Sequence, residues 1–218
     1  MRLLRDNGLT LVLLLLFLLS LGGQWLTGWK VANEDALRHG QAALSLASYA
    51  GSAEFLSALF ENWESEFLQM SAYVLLTAVL IQRGSAESKD PDAPPRDADL
   101  ALKANDPGTP GILRLGPFWR AIYAHSLGLA LALLFVLTFV LHWTQSARAA
   151  TEQAVEHGEP ALSVFAYLGD AQLWFESFQN WQSEFLSTAV LVVLSIFLRQ
   201  RESPESKPVT ASHASTGP

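Results

Sequence analysis

The sequence predicts an all-α fold: a polytopic membrane protein whose four transmembrane helices form two parallel (same-topology) two-helix repeats, with short interfacial or extracytoplasmic helices. Three observations predict it. Four apolar runs, 9–25, 67–81, 126–143 and 185–198, stand in a chain that is 50% hydrophobic and only 16% charged. The chain also matches itself without a gap at an offset of 118 residues, with roughly 35 identities over about 81 positions. Finally, its basic residues segregate. With both termini and the 84–117 segment on one side, Arg2, Arg5, Arg83, Lys89, Arg96, Lys103, Arg114, Arg120, Arg199, Arg201 and Lys207 lie inside. Only Lys30, Arg38 and Arg148 lie outside, as the positive-inside rule demands.

A bilayer core of about 30 Å needs about 20 helical residues. The first and third runs, "LTLVLLLLFLLSL" and "LGLALALLFVLTFVL", are apolar all round, which suits lipid rather than a soluble core. The first follows Arg2 and Arg5 like a signal peptide, but "LGGQWLTGWK" contains no A-x-A-like site, so it reads as a retained span. The second and fourth runs reach span length only when the flanking NW-x-SEF residues enter the interface. The expected organisation is a first repeat over 1–83, with spans at about 8–26 and 63–83 around an outer segment 27–62. A linker 84–117 follows. The second repeat covers 118–201, with spans at about 125–143 and 181–200 around an outer segment 144–180. Linker and tail (202–218) are rich in Pro, Asp, Ser and Gly ("SKDPDAPPRDADL", "SPESKPVTASHASTGP"), a composition that reads as disordered and cytoplasmic. "ILRLGPFWRAIY" brings the chain back to the inner membrane surface.

Within the outer segments, Ser45 is a natural N-cap for a short helix ended by Gly51, and Ser52 caps the next; Asp170 is its counterpart. From Ala53, Phe55, Leu56, Leu59, Phe60, Trp63 and Phe67 recur at helical spacing. Residues 53–82 therefore form one long helix, or an interfacial helix turning into a span.

The phrase "FENWESEFLQM" returns as "FQNWQSEFLST". Its polar letters begin a stripe at Asn62, Glu66, Gln69, Tyr73 and Thr77, answered by Asn180, Glu184, Ser187, Leu191 and Ser195. Gln24 and His142 occupy the outer ends of the first helix of each repeat, level with Glu66 and Glu184. A carboxylate facing lipid is costly. One reading makes Trp25, Trp63, Trp143 and Trp181 an aromatic belt, with the two Glu hydrogen-bonded near water. The other gathers Glu66, Glu184, Asn62, Asn180, Gln24, His142, Gln69 and Tyr73 around a polar vestibule on the pseudo-twofold axis, able to hold a proton, cation or small polar ligand.

Other constellations are weaker. His39 and His157 follow Glu34 and Glu152 by five residues, a spacing that fits no compact metal motif. Ser45 and Ser163 lack the third member of a triad, and "GSAESK" lacks the rest of a phosphate loop. With no cysteine, thiol catalysis and disulfides are excluded. No catalytic residue, metal site or cofactor is expected, and no basic nucleic-acid footprint exists.

"LRDNGLTLVLLLLFLLSL", the HG…S…Y loop and "FENWESEFLQM…QRGSAESKDP" together resemble a family of small bacterial inner-membrane proteins of unknown function. The resemblance covers nearly the whole chain. It implies a multi-pass protein of the bacterial inner membrane and transfers no catalytic residues. The expected function is non-enzymatic: a structural, envelope-associated protein whose acidic, Trp-rich outer face meets lipid headgroups or a partner. The partners expected are the bilayer and either a second copy or a membrane protein. The alternative is a small transporter or channel built on Glu66 and Glu184.

Overall fold

The computed structural model describes residues 2–95, 97 and 100–217. Of the basic residues assigned to the inner face, Arg96 and the side chain of Arg2 lie outside the described residues. Among the described residues all regular structure is helical. In chain order it comprises α1 (Arg2–Arg38), α2 (Leu46–Ala50), α3 (Ala53–Val79), α4 (Leu100–Lys103), a 3₁₀ turn (Gly111–Leu115), α5 (Pro117–Ala124), α6 (Ser126–His157), α7 (Val164–Tyr167) and α8 (Ala171–Phe197).

Two helices are long and apolar enough to cross a membrane, Leu4–Arg38 and Ser126–His157. The expectation of four spans is met on these grounds by two. The reason is local: α3 and α8 have 27 residues each, but NWESEF and NWQSEF fall within their last eighteen. Neither helix therefore offers an apolar stretch as long as those of α1 and α6. The α1 run also leaves its leucines outward; none of its most apolar eighteen residues is buried.

The chain forms two compact units, Met1–Leu59 with Leu141–Leu168, and Phe60–Val140 with Gly169–Pro218. Helices α3 and α6 each contribute to both.

In the first unit, α1 continues past the expected span end to Arg38 and is closed by Gly40, whose φ of 70° suits glycine. The amide of Gln41 reaches back to the Ala36 carbonyl at 2.8 Å. At the end of α6, Gly158 (φ 69°) and Glu159 on the Ala154 carbonyl (2.8 Å) repeat this arrangement 118 residues later. Ser45 and Ser163 cap α2 and α7 through the amides of Ser48 and Ala166. The returning chain is clamped to α1 by Asn33, whose amide both donates to the Leu44 carbonyl (3.0 Å) and accepts from its N–H (2.7 Å). Trp29 donates to the same carbonyl. Gly28 clears the space for Tyr49: a Cβ there would stand 2.5 Å from the tyrosine hydroxyl. Tyr49, Ala53, Phe55 and Leu59 form the small core, with the Tyr49 and Phe55 rings 5.3 Å apart. Ser57 and Ser146 hydrogen-bond where α3 meets α6.

In the second unit, α6 packs on α8 through Phe135 against Trp181 and Phe139 against Trp174, with ring centroids 6.2 and 6.1 Å apart. It meets α3 at Gly128, where a Cβ would approach Leu75 to 3.0 Å. Pro117 starts α5 at a position where its missing N–H costs nothing, and Arg120 reaches back to the Leu113 carbonyl.

Residues 82–92 and 199–217, which reach into the expected linker (84–117) and tail (202–218), form turns tied by polar contacts. Ser88 accepts from the Gln82 amide and Ser206 from the Gln200 amide, again 118 residues apart. Lys207 is 1% exposed. Its ammonium donates to the carbonyls of Gly84, Ser212, His213 and Ser215. These side-chain-to-backbone bonds replace the apolar core that the segment lacks.

Candidate functional site: a polar seam between α3 and α8

Within the second unit, α3 and α8 meet along a line of polar side chains. At its start Glu61 accepts from the Asn180 amide. One helical turn further, Glu64 is completely buried. It accepts from the Ser177 hydroxyl at 2.9 Å and from the Trp181 indole at 3.2 Å. Next, the Gln69 amide donates to the Thr188 hydroxyl. Tyr73 then donates to Glu87 at 2.6 Å, and beyond it Ser85 and Ser195, both buried, hydrogen-bond at 2.8 Å. From Glu64 down to Tyr73 the seam runs about 13 Å along α3, at 1.5 Å per residue.

A cavity of about 420 Å³ opens beside the lower half of this line. Gln69, Tyr73, Thr188 and Glu87 supply its polar wall, and Leu76, Phe185 and Val192 are among its apolar lining. A mostly apolar cavity with a few converging polar groups is the usual form of a small-ligand site.

The residues expected at a vestibule are sorted by this geometry. Asn180, Gln69 and Tyr73 stand in the seam. Glu66 and Glu184 are close enough for their charges to act on each other, but Glu66 is exposed and Glu184 half-buried, and Asn62 is exposed. Gln24, half-buried, and His142, fully buried, belong to the first unit.

The tryptophans expected as a belt have protein partners. Trp25 and Trp143 donate to the Leu46 and Val164 carbonyls, tying the short helices α2 and α7 to α1 and α6. Trp181 holds Glu64, and Trp63 packs edge-on against Phe60 with 5.6 Å between centroids.

Sequence reasoning missed Glu64, Ser177, Thr188 and Glu87. The signal for Glu64 lay in the repeat itself: at an offset of 118, Glu61 and Glu64 are matched by the neutral Gln179 and Gln182. This is a point along α3 and α8 where the two matched segments differ in charge. Thr188 carried no such signal, because it matches Met70.

A second cavity, about 520 Å³, lies in the first unit among Glu34, Asp35, Glu54, Glu152 and Glu156, with Arg38 at its edge. Burial, and then the charge of Asp35, raises the Glu54 carboxyl above its ordinary pKa. His39 and His157 each hold a backbone carbonyl of their own helix, Asp35 and Gln153, through Nδ1.

The chain belongs to the family described as Domain of unknown function (DUF6766), which matches residues 1–218. No curated protein and no solved structure matches the chain.

Proposed function

We propose that the chain is a non-enzymatic, multi-pass protein of a bacterial inner membrane whose α3–α8 seam binds a proton or small cation. In this reading α1, α3, α6 and α8 all cross the bilayer as two parallel repeats, with both termini cytoplasmic. The hydrogen bonds that recur 118 residues apart at Gly40/Gly158, Trp25/Trp143 and Ser88/Ser206 support the repeats.

The observation that carries the binding role is Glu64. A carboxylate removed from water inside a membrane-embedded helix pair is expensive, and such residues mark ion or proton sites. The repeat supplies Gln182 at the matching position, so a neutral residue of the same shape was available to the fold. The seam then continues through Gln69–Thr188 to Tyr73. Glu64 takes the place first given to Glu66 and Glu184, which lie beside it nearer solvent.

The test is flux of protons, Na⁺ and K⁺ in proteoliposomes holding the full chain. Wild type conducts or exchanges one of them, and Glu64→Gln lowers that flux at least tenfold. Flux that is equal in the two proteins removes the carboxylate from any such mechanism. The purely structural reading keeps one observation on its side: the seam's side chains bond across the helix pair, which also glues helices together in lipid. That reading expects Glu64→Gln to change nothing but stability.

A further inference from the structure

The chain enters α6 through a short basic stretch that carries an aromatic face. No acidic residue stands between Asp106 and Glu152, while Arg114 lies in the 3₁₀ turn and Arg120 in α5. At about 100° per residue, Phe118, Ile122, Trp119 and Tyr123 share one arc of about 140° on α5. Arg120 borders that arc, and Ala121 and Ala124 take the opposite side. Turn and helix are tied to each other: Leu113 is buried, and Arg120 donates through Nε to its carbonyl at 2.9 Å. This contact leaves the arc open. Phe118 is 68% exposed, Leu115 65%, Trp119 44% and Tyr123 41%.

Position and charge together say what covers this face. α5 ends at Ala124, and α6, one of the two helices long and apolar enough to cross a membrane, begins at Ser126. His125, with φ −111° and ψ 8°, breaks the helix between them, so α5 is an element of its own at the end of the span. A single linking residue reaches only about 3.6 Å, so α5 stays at the level where α6 leaves the hydrocarbon. Phe, Trp and Tyr suit that level, each giving apolar area to the acyl boundary, with the indole and phenol able to keep a polar edge wet. The charge is of one sign. Among the described residues neither Arg114 nor Arg120 has an ion pair, and Arg114 is exposed. A guanidinium is the side chain best shaped to grip a phosphate.

We propose that the 3₁₀ turn and α5 form an in-plane anchor that binds anionic lipid headgroups. The aromatic arc lies in the boundary between headgroups and acyl chains, and Arg114 and Arg120 hold lipid phosphates beside it. This anchor presupposes that α6 crosses the bilayer, as proposed above, and is independent of Glu64. Its preference comes from charge alone. Each basic side chain close to an anionic surface strengthens binding roughly fivefold, so the two arginines together favour an anionic over a neutral bilayer roughly 25-fold. The aromatic arc contributes to both bilayers alike, because apolar burial does not depend on headgroup charge.

The experiment is amide hydrogen exchange over 111–124 in the full chain, held at low salt in nanodiscs of phosphatidylcholine alone or mixed with phosphatidylglycerol. Wild type is protected roughly 25-fold more strongly in the mixed discs, and the difference shrinks as salt is raised. Arg114→Gln removes an exposed charge and brings the difference down to roughly fivefold. Phe118→Ser lowers protection equally in both kinds of disc. Equal protection of wild type in the two discs overturns the anchor, as does a difference that neither salt nor Arg114→Gln reduces. Protection found only when two copies share a disc also overturns it, since a second chain then covers the face. Should Arg114→Gln not fold, the salt series on wild type decides alone. Release of the chain from membranes by alkaline carbonate is a separate failure: it removes the span at α6, whereas a retained chain whose α5 ignores lipid charge removes only the anchor.

Discussion

Replacing Ser177 by Ala removes the 2.9 Å hydrogen bond to the buried Glu64 carboxylate and leaves that of the Trp181 indole in place. A hydrogen bond to a charged group is worth about 1.5–3 kcal/mol in a soluble protein. Side-chain hydrogen bonds between membrane helices average only about 0.6 kcal/mol, with a maximum near 1.7. With α3 and α8 taken as membrane helices, as proposed above, and Glu64 completely buried, the upper part of the membrane range applies. The expected cost of Ser177→Ala is about 1–1.5 kcal/mol. Glu64→Gln on its own retains an oxygen acceptor, but a neutral one, and so halves the bond's strength. In a double-mutant cycle the two changes then couple by about 0.5–0.8 kcal/mol. The assay is reversible unfolding of the full chain in mixed micelles, with wild type, both single variants and the double variant measured together. Additive single effects would refute the reasoning, because Ser177 would then not be what holds the carboxylate.

Other outcomes follow from the same geometry. Gly28→Ala places a methyl 2.5 Å from the Tyr49 hydroxyl and should cost about 1–3 kcal/mol, read as a lower unfolding midpoint. The same change at Gly22, which has open space around it, should be neutral or slightly stabilising. Ser45→Ala and Ser163→Ala each remove an N-cap and should cost about 1 kcal/mol, with faster amide exchange confined to α2 and α7. Glu54, raised by burial and Asp35, adds a small term to the first unit's stability that is present at low pH and fades as pH rises through its folded-state pKa. Asp35→Asn should flatten that slope, and a slope unchanged by the substitution would exclude the Asp35 contribution. For the topology, single cysteines placed in 84–117 should resist impermeant reagents added to intact cells, while cysteines in 39–44 should react.

What could be read from the residues alone is what is decided within a few positions of chain. The caps at Ser45, Ser52 and Asp170 were legible because an N-cap is a bond between a side chain and an amide two or three residues on. So was the helical spacing from Ala53, since hydrophobic periodicity is a local property; of the two alternatives for 53–82, the structure shows one helix, Ala53–Val79. The offset of 118 likewise foretold which of these features come in pairs.

Which carboxylate is buried was a different kind of question. Successive residues on a helix point about 100° apart, so the choice between Glu64 and Glu66 rests on the rotation of α3 against α8, which no spacing within α3 contains. The same rotation sets Thr188, rather than the repeat-matched Ser187, against Gln69. The Ser85–Ser195 hydrogen bond, and the burial of Lys207 among four carbonyls, depend on chain segments more than a hundred residues apart returning to one place. The sequence by itself determined the long helices, the caps of α2, α3 and α8, and the self-match at 118 residues. Only the tertiary structure decided which side chains of the two copies face each other, because long-range polar contacts depend on helix rotation and chain return, and local patterning encodes neither.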